Sequence, residues 1–176
     1  MRHAVDAVLA IREIPQPVVA AVRGHAVGAG FALAAACDMR VCSPNARFEA
    51  PFIALGVSAG DLGLSWMLPR MIGFGRATEL FYSGGGLDAE TAADLGFVQQ
   101  IAADPVTEAL SIARAIATRP PLGVQMTKEL LDMSLRSGNL REHLELEMRS
   151  QVIGLSSADH ATAVAEFADR KRAANP

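Results

Sequence analysis

Apolar residues along this chain follow a helical spacing in some segments and form short unbroken runs in others. The helical spacing predicts helices over roughly 2–13, 29–37, 64–73, 75–85, 88–96, 105–118, 121–137, 139–154 and 158–172. The short runs predict strands over 18–22, which is rich in β-branched residues, and over 39–43, 46–50 and 97–102. Strands and helices are interspersed up to Asp104 and helices alone follow. We therefore expect an α/β core over residues 1–104 and a helical region over 105–176.

The segment "RGHAVGAGFALAAACD" (residues 23–38) leads from the first predicted strand into an alanine-rich helix through Gly28-Ala29-Gly30. Three interpretations fit such a turn. A dinucleotide site needs a third small residue at position 33, where this chain has leucine, and this counts against it. The glycines could serve only close packing of the helix, or the unpaired N–H groups at the helix start could stabilise a developing oxyanion. The turn by itself does not decide between packing and an oxyanion site.

Composition and charge narrow the classes of function. The 176 residues are 51% hydrophobic, which suffices for one globular domain with a sizeable core. A net charge of −3, a pI near 5.8 and the lack of a basic block argue against nucleic-acid partners. The apolar run at 31–37 is too short to cross a bilayer, so we expect a cytoplasmic protein without a membrane partner. Cys37 and Cys42 form no metal-ligand pattern and are expected to be buried free thiols, with no metal site.

Three segments together resemble one protein family. They are "IPQPVVAAVRGHAVGAGFALAAACDMRV", "ARFEAPFIALGVSAGDLGLSWMLPRMIGFGRATELFYSGGGLDAETAADLGFVQQI" and "FADRKR", and they resemble the crotonase (enoyl-CoA hydratase/isomerase) superfamily. The resemblance implies an α/β fold, a spiral of ββα units with a C-terminal helical region that builds homotrimers, often hexamers. It also implies an acyl-CoA thioester as substrate, a place in fatty acid metabolism, and no cofactor besides the coenzyme A of that substrate.

The resemblance also implies which residues meet the substrate. In this family the thioester carbonyl lies between two backbone N–H groups, one of them in a glycine turn that Gly28-Ala29-Gly30 matches. Ala29 would donate this N–H, with Gly30 beside it in the oxyanion hole. The substrate-binding positions implied are Gly28, Ala32, Pro51, Phe52, Leu55 and Lys171. Lys171 resembles the basic group that reaches a coenzyme A phosphate, although it also suits a helix C-terminus as a favourable charge.

Two departures from the family bear on the reaction. The family's N-terminal third carries the second oxyanion N–H and much of the coenzyme A surface. It has no counterpart in this sequence, so we expect a fragment or a misplaced start. Hydratases use two glutamates to position water, and these fall on Ala32 and Phe52 here. Neither side chain can accept or donate a proton, so hydration of a 2-enoyl-CoA by that pair is not expected.

Asp61, in "SAGDLG", is the candidate catalytic residue. Counted back from Pro69, it matches the position where dienoyl-CoA isomerases and a chlorobenzoyl-CoA dehalogenase of this superfamily place a functional aspartate. A carboxylate among Gly, Leu and Ala would be partly desolvated, which suits it to move a proton or to act as a nucleophile. The alternative is that Asp61 caps a helix that starts near Leu62–Gly63, because aspartate is a favoured N-cap residue.

These inferences lead to two hypotheses of function. The first is an acyl-CoA enzyme that stabilises a thioester enolate, with isomerase-like chemistry through Asp61 favoured over hydration. The second is a non-catalytic member of the family, a coenzyme A-binding or oligomeric scaffold. His25 and Glu49, the other candidate groups near the turn, are expected to be non-catalytic, with Glu49 on a solvated or salt-bridged face.

Overall fold

The computed structural model describes residues 2–174, with side chains up to residue 172. Its helices are α1 (Arg2–Glu13), α2 (Ala29–Ala36), α3 (Leu64–Ile72), α4 (Phe74–Ser83), α5 (Ala89–Asp94), α6 (Pro105–Ala117), α7 (Pro121–Ser134), α8 (Leu140–Leu155) and α9 (Ala158–Ala174). Its strands are β1 (Val19–Val22), β2 (His25–Val27), β3 (Met39–Cys42), β4 (Arg47–Glu49), β5 (Gly86–Asp88) and β6 (Gln100–Ile101). Each helix that the apolar spacing predicts is present, and the mixed α/β class is confirmed.

The strands differ from the sequence prediction in two ways. Strands β2 and β5 were expected to be a turn and the approach to a helix, and the strand predicted over 97–102 shrinks to Gln100–Ile101. A three-residue strand is too short to show the alternation of apolar and polar residues by which strands are found. Its existence depends on a partner strand that is distant in sequence.

The six described strands form two three-stranded sheets, and β1 to β4 alternate between them. The first sheet has the order β1-β3-β6 and is parallel throughout, while the second has the order β2-β4-β5 with β2 parallel and β5 antiparallel to β4. Strands β1 and β2 therefore enter different sheets, and α2 follows them. This β-β-α order places the start of α2 directly after the end of β2.

Three fully buried phenylalanines form the centre of the core. Phe31 lies on α2, Phe48 on β4, and Phe97 on the segment before β6. Their ring centroids are 5.6 Å, 5.2 Å and 5.0 Å apart, at tilted or edge-on angles that aromatic rings prefer. The cluster therefore joins α2 to both sheets.

A buried arginine holds the other end of α2. Arg40 on β3 is 5% exposed, and its guanidinium donates to the backbone carbonyls of Ala34 (3.2 Å), Cys37 (2.7 Å) and Phe97. Burial lowers the pKa of Arg40, because desolvation disfavours its charged form. The donors meet the last carbonyls of α2, which have no partner inside the helix.

The two cysteines are free and buried, as the sequence predicts. Burial raises the pKa of the Cys42 thiol. A buried thiol with a raised pKa is inert, because the thiolate is the reactive form.

Contacts divide the chain into two units, with the division between Ala113 and Arg114 inside α6. The domain boundary predicted after Asp104 stays a prediction. In the second unit α8 packs against both α7 and α9, and the Leu122 N–H donates to Asp159 Oδ2 at 3.2 Å.

Within residues 2–174, none of the helices combines the length and apolar character that a bilayer crossing needs.

We predict that Arg40→Met destabilises the protein by at least about 3 kcal/mol, since each buried carbonyl left without a donor costs roughly 1–3 kcal/mol. Urea unfolding followed by circular dichroism measures this change. The matched control is Arg47→Met on β4, where the side chain is exposed and a change within about 0.5 kcal/mol is expected. Equal losses in the two variants would contradict the role assigned to Arg40.

Candidate functional site

The turn between β2 and α2 is held open by a glycine in a conformation that other residues avoid. Gly28 has φ 54° and ψ −108°. Its N–H donates to the Glu49 carbonyl at 2.9 Å, and its own carbonyl accepts from the Ala32 N–H at 3.0 Å. The Ala32 bond is the first of the helix ladder, so the N–H groups of residues 29–31 have no acceptor inside α2.

Two of these N–H groups belong to exposed residues. Ala29 and Gly30 are both exposed, whereas Phe31 is fully buried. Ala29 lies in the first turn of α2 and is not among the described residues with positive φ, so alanine fits the backbone there. The turn therefore presents backbone donors, at the positive end of a helix, from a surface that other molecules can reach.

An aromatic ring lies over this turn. A Cβ atom built on Gly28 would lie 3.5 Å from the nearest ring atom of Phe52, which is in van der Waals contact distance. Phe52 is half-buried against the hydrophobic core, and Pro51 beside it is also half-buried. Leu55 ends a 3₁₀ turn (Ile53–Leu55) and is 73% exposed. The structure thus brings the predicted residues Gly28 and Phe52 together and places an aromatic ring beside the turn.

Ala32, where a hydratase of this family has its first glutamate, is fully buried in the core. Its methyl group lies in the same apolar cluster as Phe31 and Phe48. A buried apolar site has no partner for a charged group, so this position favours alanine over glutamate. Its contact with a substrate stays a prediction.

Asp61 is half-buried just before α3, which packs against α2. The alternative role of Asp61, as the N-cap of the helix, is wrong, because α3 begins at Leu64 and its N-cap is Gly63. The hydrogen bond that joins Asp61 to the helix start uses its backbone carbonyl, which accepts from the Leu64 N–H at 2.9 Å. The carboxylate is therefore not used to start the helix.

The residue after Asp61 has an unusual backbone conformation. Leu62 has φ 47°, the one positive φ at a non-glycine residue in the described chain, and Gly63 follows with φ 80°. A left-handed backbone costs an ordinary L-residue roughly 1–2 kcal/mol. The Leu62 side chain packs against the hydrophobic core, which offsets that cost.

His25 and Glu49 form a hydrogen bond that sequence reasoning missed. His25 Nδ1 lies 3.0 Å from Glu49 Oε2, with both side chains at least a third exposed. In the parallel pair of β2 and β4, Val27 lies opposite Glu49, and His25 two residues earlier points to the same face. The pairing of β2 with β4 forms only in the folded chain, so the spacing of residues within one segment does not predict it.

Three further observations concern Lys171, a surface cleft and metal binding. Lys171 is exposed on α9, in the second unit of the chain. A cleft of about 410 Å³ lies between α4, β5 and α5, and none of the predicted site residues lines it. Among residues 2–174 there is no group of three or more His, Cys, Asp or Glu side chains that could hold a metal ion.

Comparison with known proteins places this geometry in a family. The chain matches the family model described as enoyl-CoA hydratase/isomerase over residues 2–174. The chain belongs to the enoyl-CoA hydratase/isomerase family. The crystal structure of an enoyl-CoA hydratase from Polaromonas sp. JS666 has a TM-score of 0.91 and 34% identity, covering 96% of this chain and 66% of that one. The crotonase-like α/β fold that the sequence predicts is confirmed.

Curated relatives include proteins with different named activities. A probable enoyl-CoA hydratase, echA12, of Mycobacterium leprae is 37% identical over 169 residues, which cover 94% of this chain and 58% of that protein. The 1,2-epoxyphenylacetyl-CoA isomerase of Escherichia coli is 35% identical over 159 residues, 89% of this chain and 60% of that protein. The chain thus spans about three fifths of the length of these relatives.

We predict that Gly28→Ala lowers the free energy of unfolding by about 1–3 kcal/mol, because alanine is strained at this backbone conformation. Gly75→Ala on α4 is the matched control, since a Cβ atom there meets nothing within 4 Å and φ is not positive. This control should be neutral or stabilising by up to about 1 kcal/mol. Urea unfolding of both variants checks the prediction, and a neutral Gly28→Ala would refute it.

Proposed function

We propose that this chain carries the site of an acyl-CoA enzyme that stabilises a thioester enolate. The observation that supports it best is the exposed start of α2, where Ala29 and Gly30 offer backbone donors directly after Gly28, the residue close to the ring of Phe52. A thioester oxygen that accepts the Ala29 N–H gains stabilisation as negative charge develops on it. The apolar ring of Phe52 beside the turn strengthens this effect once a bound substrate displaces water from the donors.

The proposed reaction is movement of a double bond rather than addition of water. The two positions where a hydratase carries glutamates hold Ala32 and Phe52, and neither side chain can activate water. A single carboxylate suffices for isomerisation of a 3-enoyl thioester. Asp61 takes a proton from the α-carbon, the electron pair moves into the enolate, and the protonated Asp61 returns the proton to the γ-carbon. Asp61 is free for this step because it does not cap α3.

We expect the purified protein to convert 3-hexenoyl-CoA to 2-hexenoyl-CoA, and Asp61→Asn to lower kcat by about 10²–10⁴-fold. The absorbance of the conjugated product measures turnover, and deuterium uptake at the α-carbon of butyryl-CoA in D₂O measures enolate formation independently. Asp94→Asn, an exposed carboxylate on α5 outside the site, is the control and should leave kcat within twofold.

Unchanged turnover in Asp61→Asn would remove this residue from the mechanism. The competing hypothesis is a non-catalytic scaffold, which the absence of both glutamates favours. It predicts that neither thioester reacts while coenzyme A still binds in calorimetry. Turnover of 2-hexenoyl-CoA to the 3-hydroxy product would instead favour hydration.

The proposal includes binding partners for the rest of the substrate. Lys171 would meet a coenzyme A phosphate, Pro51 and Leu55 would meet the acyl group, and coenzyme A would enter as part of the substrate, with no other cofactor. The two cysteines remain free thiols, as is usual in a reducing compartment, which supports a cytoplasmic location.

We further propose that the protein is a homo-oligomer, a trimer or a hexamer, in which α8 packs against another copy. Along one face of α8, apolar residues follow one another at intervals of four, four, four and three positions. The apolar side chains of that face, each at least half exposed, are Leu140, Leu144, Met148, Val152 and Leu155. A second copy of the chain carries the same face, so burying both would remove apolar surface that now meets water.

Leu144→Glu should shift the protein to a smaller species in size-exclusion chromatography with light scattering, because a buried unpaired carboxylate opposes the contact. Arg149→Glu places an acidic side chain at a polar position of the same helix and should leave the mass unchanged. An unchanged mass in Leu144→Glu, or a monomeric wild type, would contradict the proposed interface.

A further inference from the structure

The strongest unexplained feature of the fold is the conformation of Leu62. A left-handed backbone is normally occupied by glycine, and glycines stand close by at positions 60 and 63. The chain nevertheless places leucine at position 62, with φ 47°. Residues keep such an uncommon backbone conformation when the contacts around them enforce it, and these residues concentrate at functional sites.

The segment around Leu62 is held on its C-terminal side. There Leu64 is fully buried, and its N–H donates to the Asp61 carbonyl at 2.9 Å. The Leu62 side chain packs against the hydrophobic core. On the N-terminal side the Gly60 N–H donates to Ser58 Oγ at 3.0 Å, which closes a local turn within the exposed loop. Asp61 therefore lies next to residues that pack against the core.

We propose that Leu62 is a positioning residue for Asp61, which rests on the role proposed above for that aspartate. The left-handed conformation of Leu62 sets the direction in which the chain turns before α3. Because the Leu62 side chain packs against the core, a change of its backbone to a more common conformation would disturb that packing. The side chain of Leu62 thereby fixes the direction in which the preceding residue presents its carboxylate.

The alternative is that the left-handed residues serve only to start α3. Gly63 already supplies a left-handed N-cap, and the bond from Leu64 to Asp61 is between backbone groups, which glycine at position 62 would preserve. A purely helix-starting role therefore predicts that Leu62→Gly is harmless to activity. A positioning role predicts a loss in the chemical step.

The test measures kcat and KM for 3-hexenoyl-CoA together with the unfolding midpoint. Leu62→Gly, which loses the core anchor, should lower kcat at least tenfold with KM within twofold. Leu62→Met, which keeps a long apolar side chain in the core, should retain kcat within threefold. Val57→Gly introduces the same flexibility at an exposed position of the same loop and should leave kcat within twofold.

A double variant separates this inference from the proposed function. If Leu62 acts through Asp61, Asp61→Asn combined with Leu62→Gly is no slower than Asp61→Asn alone. A large effect of Asp61→Asn with none of Leu62→Gly overturns the positioning role and leaves the proposed function standing. Equal losses in Leu62→Gly and Val57→Gly also overturn it, because both then reflect loosening of the loop. No effect of Asp61→Asn overturns both proposals.

Should Leu62→Gly fail to fold by circular dichroism, Leu62→Asn replaces it. Asparagine tolerates the left-handed backbone but cannot pack its amide into an apolar core. The same tenfold loss in kcat is expected, and an unchanged kcat in this folded variant overturns the positioning role.

Discussion

The position of helix α2 depends on the buried guanidinium of Arg40. This one side chain binds carbonyls at the end of α2 and the carbonyl of Phe97, so it joins the helix to the segment that enters β6. The phenylalanine cluster fastens the same helix from its side, through Phe31. Since α2 has eight residues, both restraints act within two turns of its first residue. The backbone donors at that first turn are held by the rigid part of the molecule.

In the candidate site the hydrogen-bond donors are backbone groups, and the proposed proton carrier is a side chain. Its donors are main-chain N–H groups, which any residue but proline supplies, so alanine at position 29 is compatible with them. Its glycine is needed at position 28, where φ is positive and the Phe52 ring lies close. The apolar ring of Phe52 lies beside the turn, and the polar pair His25–Glu49 lies on the neighbouring strands. The predicted proton carrier, Asp61, lies three residues before α3, which packs against α2.

The helices and the glycine turn could be predicted from the sequence because both are local. Apolar spacing in a segment such as 139–154 is visible without knowing what packs against it, and a run of small residues before a helix marks its start. Strands β2 and β5 could not be predicted because each has three residues and forms through a partner far along the chain.

The candidate site was predictable only in part. The resemblance pointed to Gly28 and Phe52, which lie close together, since a Cβ atom built on Gly28 would be 3.5 Å from the Phe52 ring. The bond between His25 and Glu49 depends on strand register. The alternative capping role of Asp61 failed because the chain turns once more, through Leu62 and Gly63, before α3 begins. Local propensity ranks aspartate above glycine as a cap, but it does not say where a turn will place the first helical residue.

The enclosure of Ala32 has a consequence for how this chain could change over evolution. Its methyl group has no exposed surface and is surrounded by the core, so a glutamate there would need space for extra heavy atoms and a partner for its charge. A single substitution at position 32 would therefore introduce a carboxylate for which the core has no space. Smaller residues would be needed at neighbouring core positions as well, so a glutamate at this position requires several substitutions rather than one.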